Sequence, residues 1–192
     1  MKVGVLALQG DFAEHLQVLR RLQVDTIPVR LPAQLEGLQG LIIPGGESTV
    51  IGRLLHEWGL WQPIRERIEQ KSLGVWGTCA GAILLAKQVS NLEVEGLRMM
   101  DIGIERNAFG RQVDSFAAKL KTSLFEDLIF PGVFIRAPVI TQVGEAAQAV
   151  AWLEDKTVVA AQQGKLLATA FHPELTQDTR FHEYFLNLVR FA

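Results

Sequence analysis

A single thiol, a histidine two positions ahead of a glutamate, and a pair of adjacent glycines are where this 192-residue sequence can do chemistry. Cys79 is the one cysteine, so the chain has no internal disulfide, no thiolate zinc or iron–sulfur site and no C-x-x-C redox pair. A buried small residue, a surface thiol and a nucleophile remain open. Its setting, Gly77-Thr78-Cys79-Ala80-Gly81, follows the apolar run 73–76 and precedes the apolar run 82–87. This is G-x-C-x-G between a strand and a buried helix, the thiol counterpart of the nucleophile elbow. Glycines two positions either side keep a β-carbon out of the neighbouring strand and helix. The Ala80 N–H then points where an oxyanion would form, at the positive end of the helix.

A thiol nucleophile needs a base and a carboxylate to orient it. Phe171-His172-Pro173-Glu174 supplies both. In an extended segment, residues two apart project to one side, so His172 and Glu174 can pair directly, with Pro173 biasing His172 away from helix. Pro44-Gly45-Gly46-Glu47-Ser48-Thr49 ends another apolar run ahead of a helix. Its exposed amides can donate to an oxyanion or hold a carboxylate, or the loop is a plain turn with Ser48 as helix cap. The lysine of a phosphate loop is missing, and Glu47 would repel phosphate. Arg106 and Arg136 can clamp a carboxylate or carry surface charge. His15, His56 and His182 have no ligand spacing; His15 reads as a helix-face residue, and no metal or other cofactor is assigned. Trp58, Trp61, Trp76 and Trp152 read as core or interface packing.

These residues must be positioned by an alternation of β and α elements. Strands are expected at 3–8, 24–29, 40–43 and 73–76, helices after Asp11 and from Ser48 to about residue 71, with breaks near Gly59 and at Pro63, and a helical turn at 35–38. Short strands at 112–121, 132–136, 138–143, 149–153, 157–162 and 166–171 read as an antiparallel extension and sheet edge, with Gln163-Gly164-Lys165 as a hairpin turn. A helix closes the chain at 178–189. The pattern predicts one α/β domain with a mostly parallel sheet between helices. With 48% hydrophobic residues and 19 basic against 21 acidic, the chain reads as an ordinary globule and is no candidate for nucleic acid. The apolar run at the N-terminus is too short for a secretory core, and no run approaches a membrane span, so a cytoplasmic protein is expected.

Together, G-T-C-A-G, F-H-P-E-L, P-G-G-E-S-T, F-I-R-A-P and R-N-A-F-G-R-Q-V-D-S-F resemble the class I, triad-type glutamine amidotransferases, and among them the glutaminase subunits of pyridoxal 5′-phosphate synthases. The resemblance implies a single glutaminase domain over 1–192 with a flavodoxin-like fold. It implies Cys79 as nucleophile toward L-glutamine, His172 as proton shuttle and Glu174 as its orienter. Gly46 and Ala80 would hold the oxyanion, and Glu47, Ser48, Thr49, Arg106, Ile135 and Arg136 the glutamine. The ammonia would pass to a separate (β/α)₈-barrel synthase with a dodecameric core, and hydrolysis would be slow until that partner docks. One domain of this length leaves the synthase to another chain. Ser115-Phe116-Ala117-Ala118 and the stretch 91–99 depart from the family pattern. A glutaminase serving another synthase, such as that for imidazole glycerol phosphate, shares the triad. An elbow-cysteine peptidase or chaperone does not need His172-Pro173-Glu174 and usually carries histidine where Ala80 stands.

Overall fold

The computed structural model describes residues 1–106, 115–126 and 129–191. Five parallel strands form the centre, in the order β2 (Asp25–Val29), β1 (Lys2–Leu6), β3 (Gly40–Ile43), β4 (Gly74–Thr78) and β12 (Leu166–Thr169). The sheet continues antiparallel through β11 (Val158–Gln163), β10 (Gln148–Trp152), β7 (Ser115–Thr122) and β8 (Ile129–Ile135). A branch adds β9 (Val139–Val143) on β11, then β6 (Met100–Glu105) and β5 (Ala86–Val89).

The apolar strands are buried on both faces, and alternation sorts their side chains into two cores. Leu41, Ile43, Val75, Leu166 and Ala168 face one core. It is closed by α2 (Ser48–Glu57), α3 (Trp61–Glu69) and α4 (Ala80–Leu85). Ile42, Trp76, Leu167 and Phe171 face the other, covered by Leu16 and Leu19 of α1 (Phe12–Arg21) and Phe181 and Phe185 of α5 (Arg180–Phe191). Phe130, Phe134, Phe171 and Phe181 pack edge to face or tilted, with centroids 4.7–5.8 Å apart. Arg180 lies over Phe125 at 5.0 Å. This aromatic cluster sits immediately before His172, whose amide donates to Val133 O at 2.8 Å. The segment carrying the histidine is thereby fixed at both backbone and side-chain level.

Several expectations are corrected. The last strand is no edge: β12 pairs parallel with β4 at the centre of the sheet, with Thr169 opposite Thr78. The helix after Cys79 ends at Leu85, and Ala86 begins β5, so 82–87 is only partly helical. β5 and β6 were not anticipated: Ala86-Lys87-Gln88-Val89 has no clean alternation, whereas Met100, Ile102 and Ile104 do alternate and the signal was missed. Pro63 does not break a helix; it occupies the first turn of α3, where a missing N–H costs nothing. A 3₁₀ turn forms at Pro32–Leu35 instead of a helical turn at 35–38. Trp76 is fully buried, whereas Trp58 is 48% exposed. Part of the strand expected at 112–121, and most of the R-N-A-F-G-R-Q-V-D-S-F run, lie outside the described residues.

Phe185 packs against Trp76 with centroids 5.7 Å apart and is fully buried. Phe185→Ala is expected to destabilise the fold by about 3–5 kcal/mol, read as a lower urea midpoint.

Candidate active site

The elbow is as tight as its glycines require. Cys79 has φ +46 and ψ −100, a backbone that side chains rarely adopt. A β-carbon on Gly81 would lie 2.0 Å from the Ile43 carbonyl oxygen, and one on Gly77 would lie 2.3 Å from the Gly81 carbonyl carbon. The Cys79 amide donates to Thr169 O at 2.8 Å, so the elbow is tied to the end of β12. Ala80 opens α4, and its N–H has no partner within that helix.

β12 leads directly to His172. Its Nδ1 is 2.7 Å from Glu174 Oε1, and both side chains are buried. The pairing was expected, but its geometry differs: Pro173–Leu175 is a 3₁₀ turn that His172 precedes, not an extended segment. His172 Nε2 is buried and has no hydrogen-bond partner among the described residues. Burial disfavours the imidazolium, yet Cys79 and Glu174 outweigh it and push His172 up to about 10. Burial likewise raises Glu174, against the pull of His172. The imidazole packs so closely on the backbone that a β-carbon on Gly45 would sit 2.4 Å from its Cε1.

Cys79 and His172 line one cavity of about 430 Å³, together with Gly46, Glu47, Ser48, Arg106, Ile135 and Arg136. These sites lie at the carboxyl ends of parallel strands and at the end of β8, where open α/β sheets place ligands. Cys79 Sγ is 4.0 Å from Ile135 O. Thr49 and Ala80 are not among the lining residues. Thr49 instead donates its amide to the Glu47 carboxylate at 3.1 Å, and Val50 does so at 2.7 Å. Glu47, rather than Ser48, is therefore the cap of α2. Burial works against its charge, but those amides and Arg106 hold Glu47 below the usual carboxylate range. Arg106 donates to Glu47 at 3.1 Å and to Asn91 O at 2.8 Å, so one clamp candidate is already engaged with the loop.

Four further lining residues went unassigned in the sequence: Gln9, Gly10, Asp11 and Ile83. Gln9 Oε1 accepts from the Glu47 amide at 2.9 Å. Asp11 precedes α1 as anticipated, but its side chain makes no capping bond and approaches His172 Nδ1 at 3.5 Å. Burial raises its pKa above the usual value. Asp11, His172 and Glu174 offer ligand atoms within 4.8 Å of one another. A cation there would displace the proton shared by His172 and Glu174, so the cluster is read as a hydrogen-bonded pair with a flanking carboxylate. No spacing rule connects residues 9–11 to the elbow; only strand order does.

The fold and this cleft are those of a glutamine amidotransferase. The chain belongs to the SNO glutamine amidotransferase family, whose pattern it matches over residues 5–190. It is 56% identical over 191 residues to a pyridoxal 5′-phosphate synthase subunit PdxT from Chloroflexus aurantiacus, covering 98% of this chain and 100% of the relative. A PdxT from Deinococcus radiodurans is 57% identical over 193 residues, covering 98% and 97%. A solved glutamine amidotransferase structure superposes with a TM-score of 0.92 at 51% identity, covering 97% of this chain and 98% of the other.

His172 is raised above its unfolded value of 6.5, so the stability it contributes is full below pH 6.5 and lost as pH rises through about 10. The wild-type advantage over His172→Gln in urea unfolding is expected to shrink steadily from neutral pH toward pH 10.

Proposed function

We propose that this chain is the glutamine-hydrolysing subunit of a pyridoxal 5′-phosphate synthase, acting through Cys79, His172 and Glu174. The observation that carries this reading is the meeting of a strained cysteine elbow with a buried His172–Glu174 pair in one cleft. The names of the full-length relatives supply the synthase. The 192 residues are read as one glutaminase domain.

In this mechanism the Cys79 thiolate attacks the side-chain carboxamide carbon of glutamine. The C=O pair moves onto oxygen, and the oxyanion is received by the Gly46 and Ala80 amides. His172, protonated and held by Glu174, gives its proton to the amide nitrogen as the C–N bond breaks and ammonia leaves. Water then attacks the γ-glutamyl thioester, giving its proton to His172. Collapse expels the Cys79 thiolate, restoring its pair with protonated His172, and the γ-carboxylic acid gives its remaining proton to solvent as glutamate leaves. Glu47 is suited to the substrate α-ammonium group and Arg136 to the α-carboxylate, with Arg106 acting on the pocket through its bond to Glu47. Ser48, Thr49 and Ile135 complete the glutamine pocket, Thr49 through its bond to Glu47.

The ammonia requires an acceptor on another chain, which we assign as a (β/α)₈-barrel synthase subunit with a dodecameric core. The Gly45 carbonyl accepts from the Asp11 amide at 3.0 Å. The Gly45-Gly46 peptide cannot turn without releasing that bond, which offers a physical route to partner control of the oxyanion site. We place the protein in the cytoplasm; among the described residues no helix is long and apolar enough to cross a membrane.

Glutamine hydrolysis measured with and without the synthase subunit tests the assignment. Wild type is expected to hydrolyse glutamine rapidly only in the complex. Cys79→Ala is expected to abolish hydrolysis while pyridoxal 5′-phosphate still forms from added ammonia. Hydrolysis persisting in that variant removes Cys79 from its role, and a complex that forms no pyridoxal 5′-phosphate from glutamine rejects the pathway assignment.

A further inference from the structure

Behind Glu174 lies a pair of buried histidines that the reaction as written does not use. His15 on α1 and His182 on α5 are both fully buried, and His15 Nδ1 is 3.0 Å from His182 Nε2. His15 Nε2 is 3.2 Å from Thr78 Oγ1 on β4 and 3.3 Å from Glu174 Oε2. Trp76 walls the pair edge-on, 5.6 Å from His15 and 4.9 Å from His182 between ring centroids. We propose that His15, fixed in one tautomer by His182, is a positioning residue of the triad. Its Nε2–H faces the far oxygen of Glu174, holding that carboxylate ionised and its other oxygen on His172.

The tautomer follows from the partners. Among the described residues, Glu174 Oε2 has no aligned hydrogen-bond donor and His182 Nδ1 has no hydrogen-bond partner. If His15 carried its proton on Nδ1, a lone pair would face a buried carboxylate, and the His182 proton would be stranded on its unpartnered Nδ1. With the proton on His15 Nε2, His182 Nε2–H donates to His15 Nδ1, and the His15 N–H is donated to Thr78 Oγ1 with Glu174 Oε2 3.3 Å from the same nitrogen. Within this chain of rings only an acceptor lone pair is then left without a partner, and a donor nitrogen rather than a lone pair lies beside the carboxylate. An N–H dipole inclined to a buried carboxylate still acts on its charge, in proportion to its component along the line between them.

The surroundings keep both rings neutral. Burial, with His182 and His172 nearby, holds His15 well below its usual value. Burial together with Arg21 lowers His182 to about 3. Among the described residues, the titratable groups that face Glu174 are Asp11, His15 and His172. Of these, Asp11 disfavours the Glu174 charge and His172 favours it. His15 is the neutral donor that offsets burial.

This inference rests on Cys79 and His172 being the reacting pair, and alkylation of Cys79 by iodoacetamide across pH tests it without glutamine or a partner. The wild-type rate is expected to carry an upper inflection near the His172 value of about 10. His15→Phe keeps a ring but removes the N–H, and should move that inflection down by about one pH unit. His15→Gln, whose side-chain amide reaches about as far as Nε2, should return it toward wild type. His182→Phe frees His15 to change tautomer and should lower the inflection by less. In the synthase complex, His15→Phe should lower kcat for glutamine about tenfold with KM unchanged.

A His15→Phe inflection at the wild-type pH overturns the proposal, as does His15→Gln displaced as far as His15→Phe. Should His15→Phe fail to fold by circular dichroism, His182→Phe decides: a lowered inflection supports the proposal and an unmoved one overturns it. A wild type that hydrolyses no glutamine, alongside variants whose inflection moves, rejects the functional reading and leaves this proposal standing.

Discussion

The parallel pairing of β12 with β4 is the constraint on which the site depends. Residues 79 and 172 are far apart in the chain, and the register that sets Thr169 opposite Thr78 brings them to the same end of adjacent strands. The Cys79 amide completes that ladder by donating to Thr169 O, so the strained elbow hangs from the strand that delivers the histidine. Strain of this kind persists only where the surroundings over-determine it. Here Gly77 and Gly81 leave no room for a relaxed turn, and the ladder leaves no freedom to slide.

Around that junction, buried polar groups are arranged in order of charge. His172, raised to about 10, and Glu174 pair within hydrogen-bond distance, and burial lowers the pKa values of the histidines behind them. A buried ion pair is costly unless its remaining lone pairs and protons are met. Glu174 is met on one oxygen by His172 and faced on the other by His15. At the cleft mouth, Glu47 uses the helix amides of α2 to stay ionised while Arg106 balances it. One carboxylate is stabilised by a helix start and the other is backed by two neutral histidines, which fits one to bind an exposed cation and the other to act only through its neighbour.

Much of this was legible in the sequence. Where the chemistry demands particular residue types at short spacing, the reading was direct: Cys79 between its glycines, His172 beside Glu174, and the Gly-Gly loop at the end of β3. The parallel half was legible as well, because strands buried on both faces appear as unbroken apolar runs. What remained hidden was non-local. The central place of β12 is a matter of strand order, to which Leu166-Leu167-Ala168-Thr169 gives no clue. His15 looked like a helix-face residue because spacing within α1 cannot show that α5 and Glu174 close over it. Asp11 stands where a cap belongs, and only the approach of His172 reveals why its side chain turns elsewhere.

The most direct test of the central claim is covalent labelling with a glutamine analogue that carries an electrophilic chloroketone in place of the carboxamide, followed by peptide mapping of the protein in complex with its synthase. The account predicts a single label on Cys79 Sγ, suppressed by excess L-glutamine. A label on any other residue, or labelling of Cys79 that glutamine does not suppress, would contradict it.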